Sequence, residues 1–490
     1  MTENQKSMPI PRRTKIVATI GPATESPEML EKLFRAGVDV VRVNFSHGSP
    51  EAHKQRARDI REISEKVGRY VGILADLQGP KIRIERFQNG KVKLKKGKPF
   101  TLDANLGVDD GDETAVGLTY KALADDVSAG DVLLLDDGMI VLKVDNIAGS
   151  KINCIVEIGG KLSNNKGVNR QGGGLSAGAL TEKDKQDIKL AAEIEADFLA
   201  VSFVRSADDV HEARRLLHEA GSDAWIVSKI ERAEAIDVID EITLASDVLM
   251  VARGDLGVEI GDAEITAVQK RIIYQARSMD RVVITATQML ESMINKQMPT
   301  RAEVTDVANA VLDGTDAVML SAETAVGAYP IKAIEAMDRI CLGAEKHRGS
   351  IVNEARNDSS FERIDEAIAK ACMYTANRLH VRAIIAMTES GATALWMSRI
   401  SSGLPIYAMS SQDRTLRQAS MYRGVEPLKF DTSSNSHSIV NAEVLDILKQ
   451  RGAIADGDVV IISKGDLVGK QGGTNAMKIL RVGDIEHDSD

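Results

Sequence analysis

The chain has 490 residues, of which 43% are hydrophobic and 27% charged, and this length predicts two to four domains. Its net charge of −10 argues against general nucleic-acid binding, and three widely separated cysteines favour buried thiols in a reducing compartment over a disulfide or zinc framework. The N-terminal stretch lacks the apolar segment of a secretion signal, and no apolar run is long enough to span a bilayer. We therefore expect a cytoplasmic protein with neither nucleic acid nor membrane as a partner.

One pattern recurs along the chain: a short apolar run, a polar or glycine ending, and then an amphipathic helical stretch. Near-continuous apolar runs are typical of parallel strands buried on both faces, and their alternation with helices favours an α/β fold built from βαβ units. Eight such units are what a closed (β/α)8 TIM barrel requires. The candidate strands are KIVATIG (15–21), VDVVRVNF (38–45), YVGILADL (70–77), DFLAVSFV (197–204), WIVSKIE (225–231), SDVLMVARG (246–254), RVVITATQ (281–288) and DAVMLSAET (316–324).

A long interruption separates the third and fourth candidate strands. Its segments alternate apolar and polar residues between glycine and aspartate turns, which is typical of a small all-β domain. We therefore predict a β domain over residues 81–174, inserted into a barrel made of residues 12–80 and 175–345. Residues 1–11 are predicted to be a flexible N-terminal segment.

The pattern changes again in the last third of the chain. A long helical stretch, FERIDEAIAKACMYTANRLH (361–380), precedes four further apolar runs with helices between most of them. This order predicts a third domain over residues 346–490, an open α/β sheet. The polar stretch EARNDSS (354–360) is typical of a linker to the barrel.

Polar residues collect where the barrel strands are predicted to end, which is where (β/α)8 barrels carry their chemistry. Each has a plain structural interpretation as well: a solvated strand end, an ion pair that fills the barrel, or an ordinary turn. Their coincidence across six strands favours a functional site. They are Arg42, Asn44, Ser46, His47, Asp76, Lys229, Glu231, Arg253, Gly254, Asp255, Thr287, Gln288, Ser321 and Glu323.

Two carboxylates from neighbouring strand ends, Glu231 and Asp255, suit a divalent Mg²⁺ or Mn²⁺, because both ions prefer oxygen ligands and keep open positions. Positive charge from Arg42, Arg83 and Lys229 suits a multiply charged anion that combines carboxylate and phosphate. A metal and a lysine at one phosphoryl group favour phosphoryl transfer. The chain has no P-loop motif and no protein-kinase motifs, so a nucleotide would bind by another route.

Long motifs extend across nearly the whole chain, from about residue 12 to residue 482. They are KIVATIGPAT (15–24), VVRVNFSHG (40–48), QGPKIR (78–83), KGVN (166–169), SKIER (228–232), VARGDLGVEI (251–260), ATQMLESM (286–293) and the run from PTRAEV to VGAYP (299–330). These motifs resemble those of the pyruvate kinase family. The resemblance implies a barrel with an inserted β lid domain and a C-terminal α/β domain, and transfer of a phosphoryl group from phosphoenolpyruvate to ADP, giving pyruvate and ATP.

The resemblance also assigns roles to matching residues. Lys229 would stabilise the transferring phosphoryl group, and Glu231 and Asp255 would hold the metal. Substrate would lie against the backbone of Ala252, Arg253 and Gly254. Thr287 would lie beside the carbon that gains a proton. Four further roles are implied by the matches: phosphate binding by Arg42, proton relay or support by Ser321 with Glu323, nucleotide binding by Asn44, His47, Arg83 and Lys183, and lid closure by the inserted domain.

The stretch ADLQGPKIRI (75–84) departs from the pattern of family members that need K⁺. Those enzymes hold K⁺ with residues like Asn44, Ser46 and Asp76, and carry Thr and Glu where this chain has Leu77 and Lys81. A lysine brings a fixed positive charge into the same region. We therefore predict that Lys81 substitutes for K⁺ and that this monovalent ion is not required.

The loop TESGAT (388–393) follows a predicted strand and leads into a helix, as phosphate-binding loops do. By resemblance it predicts a phosphorylated allosteric effector, which could be fructose bisphosphate, a sugar monophosphate or AMP, and the alternative is an ordinary turn. The candidate effector-binding residues are Thr388, Glu389, Ser390, Gly391, Ala392 and Thr393. The segment KGDLVGKQGGTN (464–475) would flank this loop, and the resemblance further implies a homotetramer.

Two hypotheses about a different function remain open at this point. A Mg²⁺-dependent lyase or aldolase on a related barrel would also hold an enolate through Glu and Asp, although the insert, Lys229 and the C-terminal domain count against it. A catalytically inactive sensor of sugar phosphates is the other, although every catalytic match is intact. The glycine-rich segment 171–178 is longer than usual for the family, and we assign no hinge residues to it.

Overall fold

The computed structural model describes residues 11–346, 361, 363–400, 402–431, 437–465 and 472–484. The predicted N-terminal segment lies almost wholly outside these residues, as do the linker-like stretch 354–360 and residues 466–471 of the segment that follows the last parallel strand.

The first part of the chain forms three parallel strands separated by two helices. Ser26 and Ser49 cap the helices, because each side-chain oxygen accepts a hydrogen bond from a backbone amide three residues later. Gly68 ends the second helix in a left-handed conformation at φ 71°. The elements are β1 (Lys15–Ile20), α1 (Pro27–Arg35), β2 (Val40–Asn44), α2 (Pro50–Val67) and β3 (Gly72–Asp76).

The predicted insert follows β3 and is an all-β domain with a core of its own. Its strands pair mainly antiparallel in a six-stranded sheet of order β11-β7-β8-β9-β5-β6 and a two-stranded sheet of β10 and β4. Its elements are β4 (Lys91–Leu94), β5 (Pro99–Asp103), β6 (Ala115–Gly117), α3 (Leu123–Asp126), β7 (Val132–Leu135), β8 (Ile140–Ala148), β9 (Lys151–Ile158), β10 (Gly160–Ser163) and β11 (Val168–Arg170).

Five more strands then complete a closed barrel in the order β1-β16-β15-β14-β13-β12-β3-β2, with every neighbouring pair parallel. This confirms the predicted barrel, and all eight strands fall within the apolar runs that predicted them. The five strands are β12 (Phe198–Val201), β13 (Trp225–Ile230), β14 (Val248–Ala252), β15 (Val282–Ala286) and β16 (Ala317–Leu320).

Helices surround these strands and bury their apolar faces against the barrel. Thr181 and Thr300 begin two of them with reciprocal capping boxes. The helices are α4 (Glu182–Glu193), α5 (Ala207–Glu219), α6 (Glu234–Asp237), α7 (Ile239–Ala245), α8 (Arg253–Ile260), α9 (Asp262–Ser278), a 3-10 turn (Glu291–Ile294), α10 (Arg301–Asp313), α11 (Ala322–Ala325) and α12 (Pro330–Lys346). Among the described residues, none of the helices is both long and apolar enough to cross a membrane.

The last part of the chain is an open α/β sheet of order β19-β18-β17-β20-β21, in which only the edge strand β21 runs antiparallel to its neighbour. This confirms the predicted fold class of the C-terminal domain. Its elements are α13 (Ile364–Ala376), β17 (Ala383–Met387), α14 (Ala392–Arg399), β18 (Ile406–Ser410), α15 (Asp413–Ala419), β19 (Val425–Lys429), α16 (His437–Gln450), β20 (Val459–Gly465) and β21 (Thr474–Arg481).

The C-terminal domain packs against the amino-terminal end of the barrel. One hydrophobic core contains residues from the barrel interior, such as Met250, together with Met397 of α14. Trp225 at the start of β13 stacks on Tyr422 with ring centroids 5.5 Å apart. This end of the barrel is therefore closed, and the opposite end carries the polar strand ends.

A fourfold pattern of aspartates closes the same end. An aspartate precedes each of the strands β2, β12, β14 and β16, and its carboxylate accepts the backbone N–H of the second residue of a neighbouring strand at 2.8 to 3.0 Å. Each carboxylate also binds at least one arginine. The aspartates are Asp39, Asp197, Asp247 and Asp316.

Candidate active site

The predicted site residues of β2, β3 and β13 meet at the carboxyl end of the barrel. Side chains alternate along a strand, so Trp225, Val227 and Lys229 of β13 point the same way, with Lys229 at the open end. Lys229 Nζ lies 2.9 Å from Glu231 Oε1, 3.5 Å from Asp76 Oδ1 and 2.7 Å from Ser202 Oγ. The structure therefore brings the predicted lysine and two predicted carboxylates together.

Asp76 is the buried centre of this cluster. Its Oδ2 accepts a 2.6 Å hydrogen bond from Arg42 Nε, while Oδ1 is buried and makes no regular hydrogen bond in the described part of the chain. Burial alone would raise the pKa of Asp76, but Lys229 and Arg42 hold it below its usual value. The carboxylates of Asp76 and Glu231 raise the pKa of Lys229 despite its burial, so this lysine keeps its charge.

Glu231 and Asp255, the predicted metal ligands, differ in how they are held. Glu231 is 2% exposed, and its Oε2 accepts a 2.7 Å hydrogen bond from the backbone N–H of Phe203. Burial raises the pKa of Glu231, Lys229 opposes the shift, and the nearby charge of Asp255 adds to it. Asp255 lies in the first turn of α8 and pairs with Lys81 at 3.1 Å.

Two neighbouring carboxylates that repel one another fit a divalent cation, because such an ion offsets their repulsion and takes oxygen ligands. No group of three or more His, Cys, Asp or Glu side chains among the described residues is placed to hold a metal by itself. The residues present therefore suit a Mg²⁺ or Mn²⁺ that draws its remaining ligands from substrate or water.

The backbone after β14 and β15 is arranged around Thr287. The Thr287 hydroxyl accepts a 2.8 Å hydrogen bond from the amide of Gly254 and donates to the carbonyl of Ala286 at 2.7 Å. Thr287 and Gln288 both have positive φ, 65° and 53°, which is strained for these residues and common at functional sites. The guanidinium of Arg253 turns away, towards Asp306 at 2.7 Å and the Thr287 carbonyl at 2.8 Å. Arg253 therefore offers its backbone to the site while its side chain braces the Thr287 turn.

Ser321 and Glu323 follow β16 and are close neighbours. Glu323 is 3% exposed and accepts backbone hydrogen bonds from Ser321 at 2.7 Å and Leu290 at 3.2 Å. Its carboxylate ties the end of β16 to the turn after β15, so Glu323 supports the Thr287 turn.

The predicted nucleotide-binding residues fall into two groups. Asn44 and Ser46 are linked by a 3.0 Å hydrogen bond, and Lys183 of α4 donates to the carbonyl of Phe45 at 2.8 Å, so the loop after β2 and Lys183 adjoin. His47 lies in this loop, where its amide donates to the Asn44 carbonyl at 3.3 Å. Arg83 lies instead in the insert, where it donates to the Asn165 carbonyl at 2.9 Å.

Lys81 is brought to a partner that the sequence did not suggest. Its ammonium contacts Asp255 rather than Asn44, Ser46 or Asp76, the residues grouped with it as a monovalent-cation site. Asp76 is bound by Arg42 and Lys229 instead.

Three residues near the site were not singled out from the sequence. Ser202 follows β12 and contacts Lys229, and its position at a strand end is the same signal that identified the others. His53 is buried under the loop after β2, its ring centroid lies 4.7 Å from that of Phe45 with the rings tilted by 46°, and burial lowers its pKa to about 4. Glu259 lies one turn beyond Asp255 on α8, and burial raises its pKa to about 7.

The predicted effector loop joins β17 to α14. The Gly391 amide donates to Thr388 Oγ1 at 2.9 Å, and Gly391 has φ 82°, a conformation that favours glycine. Glu389 is tied by its carbonyl to Thr415 at 2.8 Å, and Thr393 bonds Thr474 of β21 at 2.9 Å. The loop, including Ser390 and Ala392, therefore leads directly into the helix N-terminus.

The fold and site define a (β/α)8-barrel enzyme with a lysine and paired carboxylates at the carboxyl ends of its strands. Residues 11–334 match the family model "Pyruvate kinase, barrel domain", and residues 366–480 match "Pyruvate kinase, alpha/beta domain". The chain is 58% identical to a pyruvate kinase II of Salmonella typhimurium over 96% of this chain and 99% of that protein. The chain is also 55% identical to a pyruvate kinase of Buchnera aphidicola subsp. Acyrthosiphon pisum and 42% identical to one of Staphylococcus aureus. Each alignment covers 96% of this chain, and they cover 99% and 81% of those two proteins.

The chain belongs to the pyruvate kinase family, and its enzyme class is that of pyruvate kinase, a glycolytic phosphotransferase.

Proposed function

We propose that the protein transfers the phosphoryl group of phosphoenolpyruvate to ADP, giving pyruvate and ATP, at the carboxyl end of the barrel. The observation that carries the proposal is the cluster in which Lys229 lies between Glu231 and Asp76 at 2.9 and 3.5 Å. A fixed lysine charge beside paired carboxylates suits a phosphoryl group on an enol that also carries a carboxylate.

Glu231 and Asp255 would hold the Mg²⁺ or Mn²⁺, which supplies charge neutralisation for the substrate carboxylate and enolate oxygens. The backbone of Ala252 to Gly254 and the Thr287 hydroxyl would border the same substrate. The Thr287 hydroxyl fixes the Gly254 amide, so the substrate carboxylate meets a preorganised surface.

Phosphoryl transfer itself would use the two cations nearest Asp76. Lys229 keeps its charge in the folded protein and stabilises the negative charge on the moving phosphoryl oxygens. Arg42 is fixed by Asp76 and by Thr19, at 2.6 and 3.1 Å, and aligns the phosphate. The enolate left behind then gains a proton at carbon, through water ordered by Thr287 and Ser321.

The nucleotide would enter between the barrel and the inserted β domain. Asn44, His47 and Lys183 line the barrel side, and Arg83 belongs to the insert, so closure of the insert as a lid would bring the two groups together and exclude water. The boundaries proposed for the lid are residues 81–174.

Three finer features belong to the same proposal. Lys81 would replace K⁺, so activity would not require this ion. The loop 388–393 would bind a phosphorylated effector, because a helix N-terminus with free amides attracts phosphate. The enzyme would be a cytoplasmic homotetramer.

One assay tests the central activity. Pyruvate formation from phosphoenolpyruvate is measured with and without ADP, in the presence of Mg²⁺, and ATP is measured in parallel. ADP-dependent formation of both products supports the proposal. Pyruvate without ADP would favour a lyase or phosphatase, and no turnover would favour a sensor of phosphorylated ligands.

The same assay tests the finer features. Replacement of K⁺ by a large organic cation should leave the rate within about twofold, and strong K⁺ activation would overturn the role given to Lys81. Addition of ribose 5-phosphate, fructose bisphosphate or AMP tests the effector loop, and loss of any activation in Ser390→Asp, which places a carboxylate in the loop, is the expected result.

A further inference from the structure

Each of the two predicted metal ligands is paired with its own lysine. Lys229 Nζ lies 2.9 Å from Glu231 Oε1, and Lys81 Nζ lies 3.1 Å from Asp255 Oδ1. The first lysine belongs to a barrel strand, whereas the second lies after β3, at the root of the inserted domain.

The two lysines differ in what else they contact. Lys229 also bonds Ser202 and lies near Asp76, so it keeps partners if Glu231 turns towards a metal. Within the described part of the chain, the one ionic contact of Lys81 is Asp255. The Lys81–Asp255 pair is also the more open one, since its side chains are 29% and 22% exposed against 13% and 2% for Lys229 and Glu231.

A divalent cation and an ammonium group make competing demands on the Asp255 carboxylate. A metal bound between Glu231 and Asp255 would take the carboxylate oxygen and repel a second positive charge at the same position. A metal on this carboxylate therefore weakens the contact with Lys81, and displacement of the lysine costs only one partly exposed ion pair.

The position of Lys81 connects this exchange to the insert. The next residue, Ile82, accepts a 2.9 Å backbone hydrogen bond from Val168, and a side-chain carbon added at Gly167 would lie 3.5 Å from the Lys81 Cε. The two chain segments that join the insert to the barrel therefore pack around the Lys81 side chain.

We propose that Lys81 is a built-in competitor of the divalent cation: its ammonium occupies Asp255 until the metal displaces it, which couples metal binding to the root of the inserted domain. The inference rests on the metal site of the proposed function. It does not depend on whether Lys81 also replaces K⁺, since a displaced ammonium would be free for that role.

Mn²⁺ binding to the substrate-free enzyme tests the competition without any turnover. Free Mn²⁺ is followed by electron paramagnetic resonance during titration of the wild type, Lys81→Met, Lys81→Gln and Lys81→Arg. Removal of the competing charge should tighten Mn²⁺ binding about fivefold in Lys81→Met and Lys81→Gln, whereas Lys81→Arg should stay near the wild type. Added salt that does not bind the site should narrow the difference, because it weakens the partly exposed pair in the wild type.

Lys151→Gln is the matched control, because Lys151 is another lysine of the insert and its ion pair in the described part of the chain is with Asp103 of β5, at 4.0 Å. It should bind Mn²⁺ like the wild type. Unchanged or weaker Mn²⁺ binding in both Lys81→Met and Lys81→Gln, with a wild-type enzyme that binds normally, would overturn the competition alone. Failure of the wild type to bind Mn²⁺, or binding that Asp255→Asn does not weaken, would overturn the metal site itself.

Discussion

At the amino-terminal end of the barrel the aspartates are compensated by arginines, whereas at the carboxyl end Glu231 and Glu259 have fewer compensating partners. The side chain of Asp316 is fully buried, pairs with Arg399 and accepts a hydrogen bond from the Val283 amide. Asp197 pairs with two arginines and accepts a hydrogen bond from the Ile73 amide. Burial alone would raise the pKa of Asp316, but Arg399 holds it below its usual value.

The carboxyl end uses the same residue types in the opposite way. Burial raises the pKa of both Glu231 and Glu259, because fewer positive charges and amides compensate these carboxylates. Asp76 is the exception, since Arg42 and Lys229 lower its pKa.

The two ends thus separate the charges that stabilise the fold from those that can bind a ligand. When a buried carboxylate is paired with a buried cation, removal of either partner lowers stability, because the other charge is left buried and unpaired. A buried carboxylate with few positive charges or amides around it can instead bind a metal ion or a proton. Catalytic sites use such groups. Substitutions at one end at a time therefore separate the two roles.

The largest expected effect is on phosphoryl transfer at the open end. Lys229→Met should lower kcat for ATP formation by about 10³-fold, because it removes the charge that stabilises the transferring group. Exchange of the methyl protons of pyruvate with D₂O, followed by proton NMR, should persist because Glu231, Asp255 and Thr287 remain. Lys185→Met serves as control, since Lys185 lies on α4 and pairs with exposed Glu182. Unimpaired ATP formation by Lys229→Met would remove this lysine from the mechanism.

The next effect is on stability at the closed end. Asp316→Asn should cost about 3 to 5 kcal/mol, because it leaves the fully buried Arg399 uncompensated. We expect a lower urea midpoint of unfolding, measured by far-ultraviolet circular dichroism. Replacing both partners, as in Asp316→Leu with Arg399→Met, should recover part of the loss. A midpoint equal to that of the wild type would contradict a structural role for the pair.

A smaller effect concerns pH. The pKa of Glu259 is raised to about 7, so the folded state binds its proton more tightly than the unfolded state. The stability from this group is therefore full at low pH and is lost as pH rises through about 7, by no more than about 3 kcal/mol. Glu259→Gln should flatten the fall in urea midpoint between pH 5 and pH 7.5.

Glu182→Gln is the control for that profile, because Glu182 has an 86% exposed side chain. A wild-type profile retained in Glu259→Gln would mean that another group causes the pH dependence.

The smallest effect is expected at the partly exposed member of the aspartate pattern. The Asp247–Arg214 pair has side chains 25% and 28% exposed, and asparagine still accepts a hydrogen bond from the Ile226 amide. Asp247→Asn should therefore cost only about 1 kcal/mol in urea unfolding. A loss as large as that of Asp316→Asn would show that burial does not set the cost.

Much of this arrangement could be predicted from the sequence. Apolar runs identified all eight barrel strands, because parallel strands are buried on both faces, and the rule that barrels act at strand ends gathered Asp76, Lys229 and Glu231. The aspartates at the other end were visible as acidic residues before apolar runs, as in VDVV and SDVL, and could have been found by that spacing.

Other contacts depend on tertiary geometry that spacing does not encode. The pairing of Lys81 with Asp255 is set by how the insert leaves the barrel, and the turn of Arg253 towards Asp306 is set by the packing of α10. Glu259 carries no motif of its own, and its raised pKa comes from burial against the root of the insert.

The comparison of the two barrel ends is tested most directly by kcat/KM per folded molecule, measured for Lys229→Met and Asp316→Asn under conditions where both are folded. Asp316→Asn should remain within about threefold of the wild type, while Lys229→Met should fall by about 10³-fold. If the folded Asp316→Asn variant loses as much activity as Lys229→Met, the amino-terminal end of the barrel is not purely structural and the account is contradicted.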